Sequence, residues 1–232
     1  MKKCIRLAFV LALLCAAMST ASLASSIYFV QGIAGRNFAA ETDPAFPLDI
    51  LLNDAVCYQR GLAFGNIAGP LTLAAGTYNV KVSIANSLAP CTNTPLIDRS
   101  VTIEARTDVS AVMALDASGT PTLLTFVNNF TPVTAGASRI LFAQAADSPA
   151  VQLILQNTAT NKLYTYVVEP GALLDANLPA GDYAVEINQG TTTLVASTRI
   201  SLSSQSVTLL YAIGQASNNT VILESRTLRD VI

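Results

Sequence analysis

The segment Leu71-Thr-Leu-Ala-Ala-Gly-Thr-Tyr78-Asn-Val-Lys-Val82 recurs 105 residues later as Asp175-Ala-Asn-Leu-Pro-Ala-Gly-Asp-Tyr183-Ala-Val-Glu-Ile187. Each copy is a short strand, a glycine turn and a second strand, so the chain is built twice from one plan. The repeat extends outward in the same order. Leu48 to Asn53 matches Val151 to Gln156, Val101 to Ile103 matches Ile200 to Leu202, and Val109 to Leu115 matches Val207 to Ile213. Offsets of 113 at Gln31/Gln144, 103 at Asp49/Gln152, 105 at Tyr78/Tyr183 and 99 at Val101/Ile200 place two insertions in the first copy. One adds ten residues between 32 and 47, and the other adds six between 85 and 96.

Alternation with period two marks the strands. Tyr78, Val80, Val82 and Ile84 face one way while Asn79, Lys81 and Ser83 face the other, as do Tyr183, Val185 and Ile187 against Ala184 and Glu186. Turn clusters at Ala75-Gly76, Asp116 to Gly119 and Asn188 to Gly190 punctuate runs rich in threonine, valine and isoleucine. The expected fold class is all-β: two tandem antiparallel β-sandwiches, immunoglobulin-like or transthyretin-like. The expected division is 27–128 for the first sandwich, 129–136 for a linker and 137–232 for the second, each half carrying its own strand set and able to fold alone. Gly76 and Gly181 are expected at positive φ. Tyr78 and Tyr183 are expected to place a ring in the core and a hydroxyl on nearby backbone, with ligand stacking as the lesser alternative.

Residues 1–24 read as a signal peptide. Met1 to Arg6 is basic, Leu7 to Met18 apolar, and Ser22-Leu-Ala24 offers small residues for cleavage. A retained membrane anchor is the rival, but the apolar run is shorter than the about 20 residues that span a bilayer. Removal of Lys2, Lys3 and Arg6 shifts the formal charge from −2 to −5. That sign argues against nucleic acid as a partner, and no later run is long enough for a transmembrane span. Export to the periplasm, cell surface or medium is the expected localisation.

Cys4 and Cys15 fall in the signal, leaving Cys57 and Cys91 as an even pair in an oxidising compartment. A disulfide between them is the expected pairing. The alternative is a buried Cys57 and a surface thiol at Cys91. Since Cys91 lies in the six-residue insertion, a bridge tethers a loop that only the first copy has.

Three segments in a fixed order, seen twice, resemble a known family. Asp43-Pro, Leu48-Asp-Ile-Leu and Gly61 to Val80 with Gly76-Thr-Tyr78 look like the bacterial DUF4397 family of unknown function, as do Asp147-Ser-Pro-Ala-Val151 and Leu178-Pro-Ala-Gly-Asp-Tyr183. The resemblance implies fold and export. The family's first strand usually ends in a histidine, whereas this chain has Gln31 and Gln144, and no catalytic or binding residue carries over.

The chain has no histidine, which removes the commonest general base and most zinc sites. There is no Gly-x-Ser-x-Gly elbow and no phosphate-cradling loop. Glu41, Asp43, Asp49, Asp54, Asp147 and Asp182 form no calcium-loop pattern, although a calcium site built from separate loops stays open. No catalytic residue, cofactor or metal is expected. The expected function is that of a non-enzymatic binding module recognising a protein or carbohydrate of the cell envelope. The alternative is a structural subunit of an envelope assembly whose strand edges pair with neighbours. If the two inserted loops share one end of the sandwich, Arg36, Phe38, Phe46 and Leu88 form the candidate interaction loop cluster. The bland alternative is that these loops cover a sheet edge or pack on the second domain.

Overall fold

The computed structural model describes residues 24–38 and 42–228. Residues 1–23 of the expected signal segment, with Cys4 and Cys15, and Glu41 lie outside the described residues.

Among the described residues, sixteen strands form four sheets of four. The first eight are β1 (Ser25–Gln31), β2 (Leu48–Leu52), β3 (Val56–Leu62), β4 (Ile67–Leu73), β5 (Gly76–Ile84), β6 (Ile97–Ile103), β7 (Asp108–Leu115) and β8 (Pro121–Asn128). The next eight are β9 (Ala137–Gln144), β10 (Val151–Asn157), β11 (Leu163–Val168), β12 (Leu173–Pro179), β13 (Gly181–Gln189), β14 (Thr192–Leu202), β15 (Val207–Ile213) and β16 (Ile222–Leu228). The sheet orders β4-β1-β7-β8 and β3-β2-β5-β6 are repeated as β12-β9-β15-β16 and β11-β10-β13-β14. The duplication read in the sequence is therefore a duplication of topology.

The expected all-β tandem of mainly antiparallel sandwiches is what the structure shows, with two details of strand pairing added. An immunoglobulin sandwich places its first strand beside its second, whereas here β1 lies between β4 and β7, in the sheet opposite β2. The sandwiches are also not wholly antiparallel, because β1 pairs with β7, and β9 with β15, in parallel. Both follow from β1 and β9 crossing at once to the opposite sheet. The strands are nonetheless laid alternately up and down, so the loops after odd-numbered strands share one end, and Ala85 N–H donates to Pro47 O across the two insertions at 2.9 Å.

Each sandwich closes its own core. Phe29, Leu48, Ile50, Val80, Val82 and Met113 fill the first, and Phe142, Leu153, Leu155, Tyr183, Val185 and Leu210 the second. A third core lies between the sandwiches. Alternate residues of the same inner strands turn away from their own sandwich: Tyr28, Val30 and Phe126 meet Leu141, Leu209 and Tyr211. The molecule is thus a four-layer stack in which the two inner sheets are buried on both faces. Every residue from Val109 to Leu115 and from Val207 to Ile213 is buried, and such strands read as continuous apolar runs without alternation.

That pattern explains a one-residue error in the expected repeat. Gln31 pairs with Met113 in the first sandwich and Gln144 with Ala212 in the second. Met113 therefore corresponds to Ala212, an offset of 99, and not the 98 implied by matching Val109 to Val207. A one-residue slip sends each side chain to the opposite face.

The segment between β8 and β9 is tied down rather than slack. Arg139 donates from Nη1 to Thr131 O at 2.8 Å and Thr131 Oγ1 at 2.6 Å. Its Nε lies 3.2 Å from Asp175 Oδ1 as an ion pair, without hydrogen-bond alignment. Phe130 packs edge-on against Tyr28 with centroids 6.1 Å apart. Of the two turn glycines, Gly181 has φ of 150°, while Gly76 does not have positive φ, and a Cβ there would meet only the Tyr78 ring at 3.9 Å.

Candidate functional site

The end of the first sandwich that carries both insertions is organised around one carboxylate. Asp49 sits in β2 on the face away from the core, and such a position is ordinarily wet. Here it is 1% exposed, because the loop 85–96 folds back over it. Asp49 Oδ2 accepts the N–H groups of Asn86 at 3.1 Å and Cys91 at 2.9 Å, and Oδ1 accepts that of Gly61 at 2.9 Å. Three backbone donors that the loop and the β3 bulge leave unpaired are thereby satisfied by one charged acceptor, the strong kind of hydrogen bond. The second copy has Gln152 at the matching position, and its β13–β14 connection is the tight turn around Gly190.

The same fold-back brings Cys91 to β3. Cys57 and Cys91 form a disulfide with Cα atoms 5.8 Å apart. Cys57 lies early in β3, opposite Leu51, and the loop returns along the sheet to reach it. Within the loop, Asn86 Oδ1 accepts from Leu88 N–H and Ala89 N–H, both at 3.1 Å, and Asn93 Nδ2 donates to Ile84 O at 2.9 Å. Leu88 stands on this frame with its side chain 96% exposed.

The candidate interaction residues are only partly brought together. Phe38 and Phe46 meet with ring centroids 5.0 Å apart, but Phe46 is buried and belongs to the core. It therefore supports Phe38 rather than offering a contact surface itself. Arg36 is exposed on the 3-10 turn Gly35–Asn37, and Leu88 projects from the other loop without joining the aromatic pair. Part of loop 32–47 also leans on the second sandwich: Gly214 N–H donates to Gly32 O at 3.1 Å and Thr220 Oγ1 to Asn37 Oδ1 at 2.9 Å.

Gln31 and Gln144, which end the first strand of each sandwich, are fully buried. Gln31 Nε2 donates to Ile33 O and Phe46 O at 3.1 and 2.7 Å, and its Oε1 accepts from Ile33 N–H at 2.8 Å. Gln144 Nε2 donates to Ser148 Oγ at 2.7 Å. Each amide pins the loop that follows it, so both are structural.

A cleft of about 470 Å³ opens between the sandwiches at this end, lined by Leu115, Thr122, Leu124, Gln144, Pro149 and Pro170 among others. Sequence reading missed it because it belongs to neither copy alone. No aromatic side chain lines it, and its acids are already engaged, Asp116 by its own turn and Asp147 by Gln215. Asp116 accepts from Ser118 Oγ at 2.6 Å and from the Ser118 and Thr120 N–H groups at 2.9 and 3.0 Å, which lowers its pKa. Asp147 accepts from Gln215 Nε2 at 2.6 Å. Among the described residues no three His, Cys, Asp or Glu side chains gather as metal ligands, and no helix is long and apolar enough to cross a membrane.

The fold defines the class: a tandem of eight-stranded β-sandwiches with one bridged loop. Residues 39–154, half of the chain, match the family described as "Domain of unknown function (DUF4397)", and the chain belongs to that family. The match runs from the first inserted loop into β10. No curated protein matches the chain in sequence. Among solved structures it is distantly similar to the TIE protein of Bacillus anthracis, at 9% identity and a TM-score of 0.27, over 88% of this chain and 34% of that one. The chain thus spans about a third of that protein. It is also distantly similar to a protein of Bacteroides ovatus described as a candidate cell adhesion protein, at 11% identity and a TM-score of 0.28, over 87% of this chain and 95% of that one. Neither likeness is close enough to carry a functional inference.

Proposed function

We propose that this chain is an exported, non-enzymatic interaction module of the cell envelope, periplasmic or at the surface, which contacts a protein partner through the inserted loop of its first sandwich. The observation that carries this reading is Leu88, held almost wholly in water on a loop fixed by the Cys57–Cys91 bridge and the Asp49 clamp. An apolar tip on a rigid frame is already ordered before binding, which removes part of the entropy that association costs. The disulfide supports an oxidising compartment. An aliphatic tip such as Leu88 favours a protein surface over a carbohydrate as the partner.

The test is capture from envelope extract on immobilised protein, with the wild type and Leu88→Asp in parallel and mass spectrometry of what is retained. The reading expects a protein held by the wild type and depleted at least tenfold on the variant. Identical retained sets from the two, or recovery of the protein in the cytosolic fraction with both thiols free, would overturn it.

A further inference from the structure

Each of the four sheets ends in two strands bonded on one side only, and a bare edge is a template for another strand unless something blunts it. Seven of the eight edges carry such a device. β4 contains Pro70, β3 carries Arg60 and shifts register against β2, and β6 carries Asp98 and Arg99. β12 carries Asp175 and Pro179, β16 carries Glu224 and Arg226, and β14 is bulged twice and carries Arg199. β8 is uncharged, but it begins at Pro121 and turns Leu124 and Phe126 into the core between the sandwiches.

The eighth edge is β11, Leu-Tyr-Thr-Tyr-Val-Val. It has no charge, proline or glycine and pairs with β10 over six consecutive residues without a register shift. Its outward side chains Leu163 and Val167 are 59% and 70% exposed. The equivalent strand of the first sandwich is the bulged β3 that holds the disulfide, so one copy protects this edge and the other leaves it open.

We propose that the free edge of β11 is a self-association edge, at which β11 strands of two copies pair antiparallel about a two-fold axis through Thr165 and join their outer sheets into one of eight strands. The sequence of the strand is complementary to itself in that register. Residues on the same face must lie opposite one another, and the axis at Thr165 achieves this throughout. Leu163 lies opposite the partner's Val167, Thr165 opposite the partner's Thr165, and Tyr164 opposite the partner's Tyr166. Each apolar outward residue gains an apolar neighbour, and the threonine pair is one of the favoured cross-strand combinations. Lys162 lies opposite the partner's Val168 on the inner face, with its ammonium over its own Tyr164 ring at 4.9 Å. A two-fold contact of this kind closes on itself and stops at the dimer. It uses an edge far from the Leu88 loop in the chain and stands independently of the partner proposed there.

Sedimentation of the purified protein at up to about 100 μM, combined with Thr165→Cys cross-linking, tests the pairing at the threonine–threonine contact. The wild type is expected as a dimer, and Thr165→Cys as a disulfide-linked dimer on non-reducing gels, with Val127→Cys, likewise exposed on β8, remaining uncross-linked. Leu163→Lys/Val167→Lys should be monomeric. A wild type that stays monomeric, a Thr165→Cys protein that never cross-links, or a dimer that survives Leu163→Lys/Val167→Lys would each overturn the proposal.

Discussion

Tyr183 and Tyr78 donate their hydroxyls to the carbonyl four residues earlier, Pro179 O and Ala74 O, both at 2.8 Å. The two bonds differ in surroundings: the Tyr183 residue is fully buried, whereas Tyr78 is half-buried. Both acceptors sit on exposed residues and can be resolvated, so the difference lies in the donors: the buried Tyr183 hydroxyl gives up a bond made away from water, the half-buried Tyr78 hydroxyl one that competes with water. Tyr183→Phe should therefore cost about 1–2 kcal/mol and Tyr78→Phe less than about half of that, measured by urea unfolding of the two variants side by side. Equal losses would mean that the bond, not its burial, sets the energy. These tyrosines were legible in the sequence because the strand–glycine–tyrosine spacing is local. The Asp49 clamp was not, since its donors come from residues 61, 86 and 91, and an isolated aspartate in a strand carries no sign of the loop that will close over it. Buried hydroxyls between the sandwiches escaped notice for the same reason: Tyr211 bonds to Ser110 Oγ at 2.6 Å across the two copies, and burial raises its pKa.

At the scale of elements, the strands that alternate were readable and those buried on both faces were readable only as strands. β10, with its strict alternation, fixes its own register against neighbours. β7 and β15 offer no polar face by which to align them, and the repeat was misaligned there by one residue. The inserted loop 85–96 was located from the change in offset alone, and its bridge was expected from cysteine parity. Closing a loop of 34 residues' separation constrains the unfolded chain by about 3–4 kcal/mol. Reduction, or Cys57→Ser with Cys91→Ser, should lower the melting temperature by roughly 10 °C for a protein of this size. An unchanged melting curve would show that Asp49 alone holds the loop in place.

The whole molecule differs most from what the repeat led one to expect. Two copies with complete strand sets read as two independent domains, yet their inner sheets share a core. Tyr28 sits against Arg226, the guanidinium 5.4 Å from its ring, and its pKa is raised by burial and by Asp108. Glu224 on the same edge strand as Arg226 is pushed up by burial. An isolated second half, residues 137–232, would put Leu141, Leu209, Tyr211 and Ile213 into water. Each large apolar side chain so exposed forfeits about 1.5–3 kcal/mol. Expressed alone, that half should bind a hydrophobic dye and melt well below the intact chain, with both effects reversed when the first half is added. A dye-silent half with the melting temperature of the whole would establish that the third core contributes nothing.

The position of the outermost described strands gives the molecule a mechanical polarity. β1 is an interior strand laced on both sides, to β4 and β7, while β16 is an edge strand laced only to β15. A tether pulling through Ser25 must shear two ladders at once, whereas one pulling through Leu228 has a single ladder to break. Under load the chain therefore yields from its second sandwich, and the half that carries the bridged loop is the last to let go.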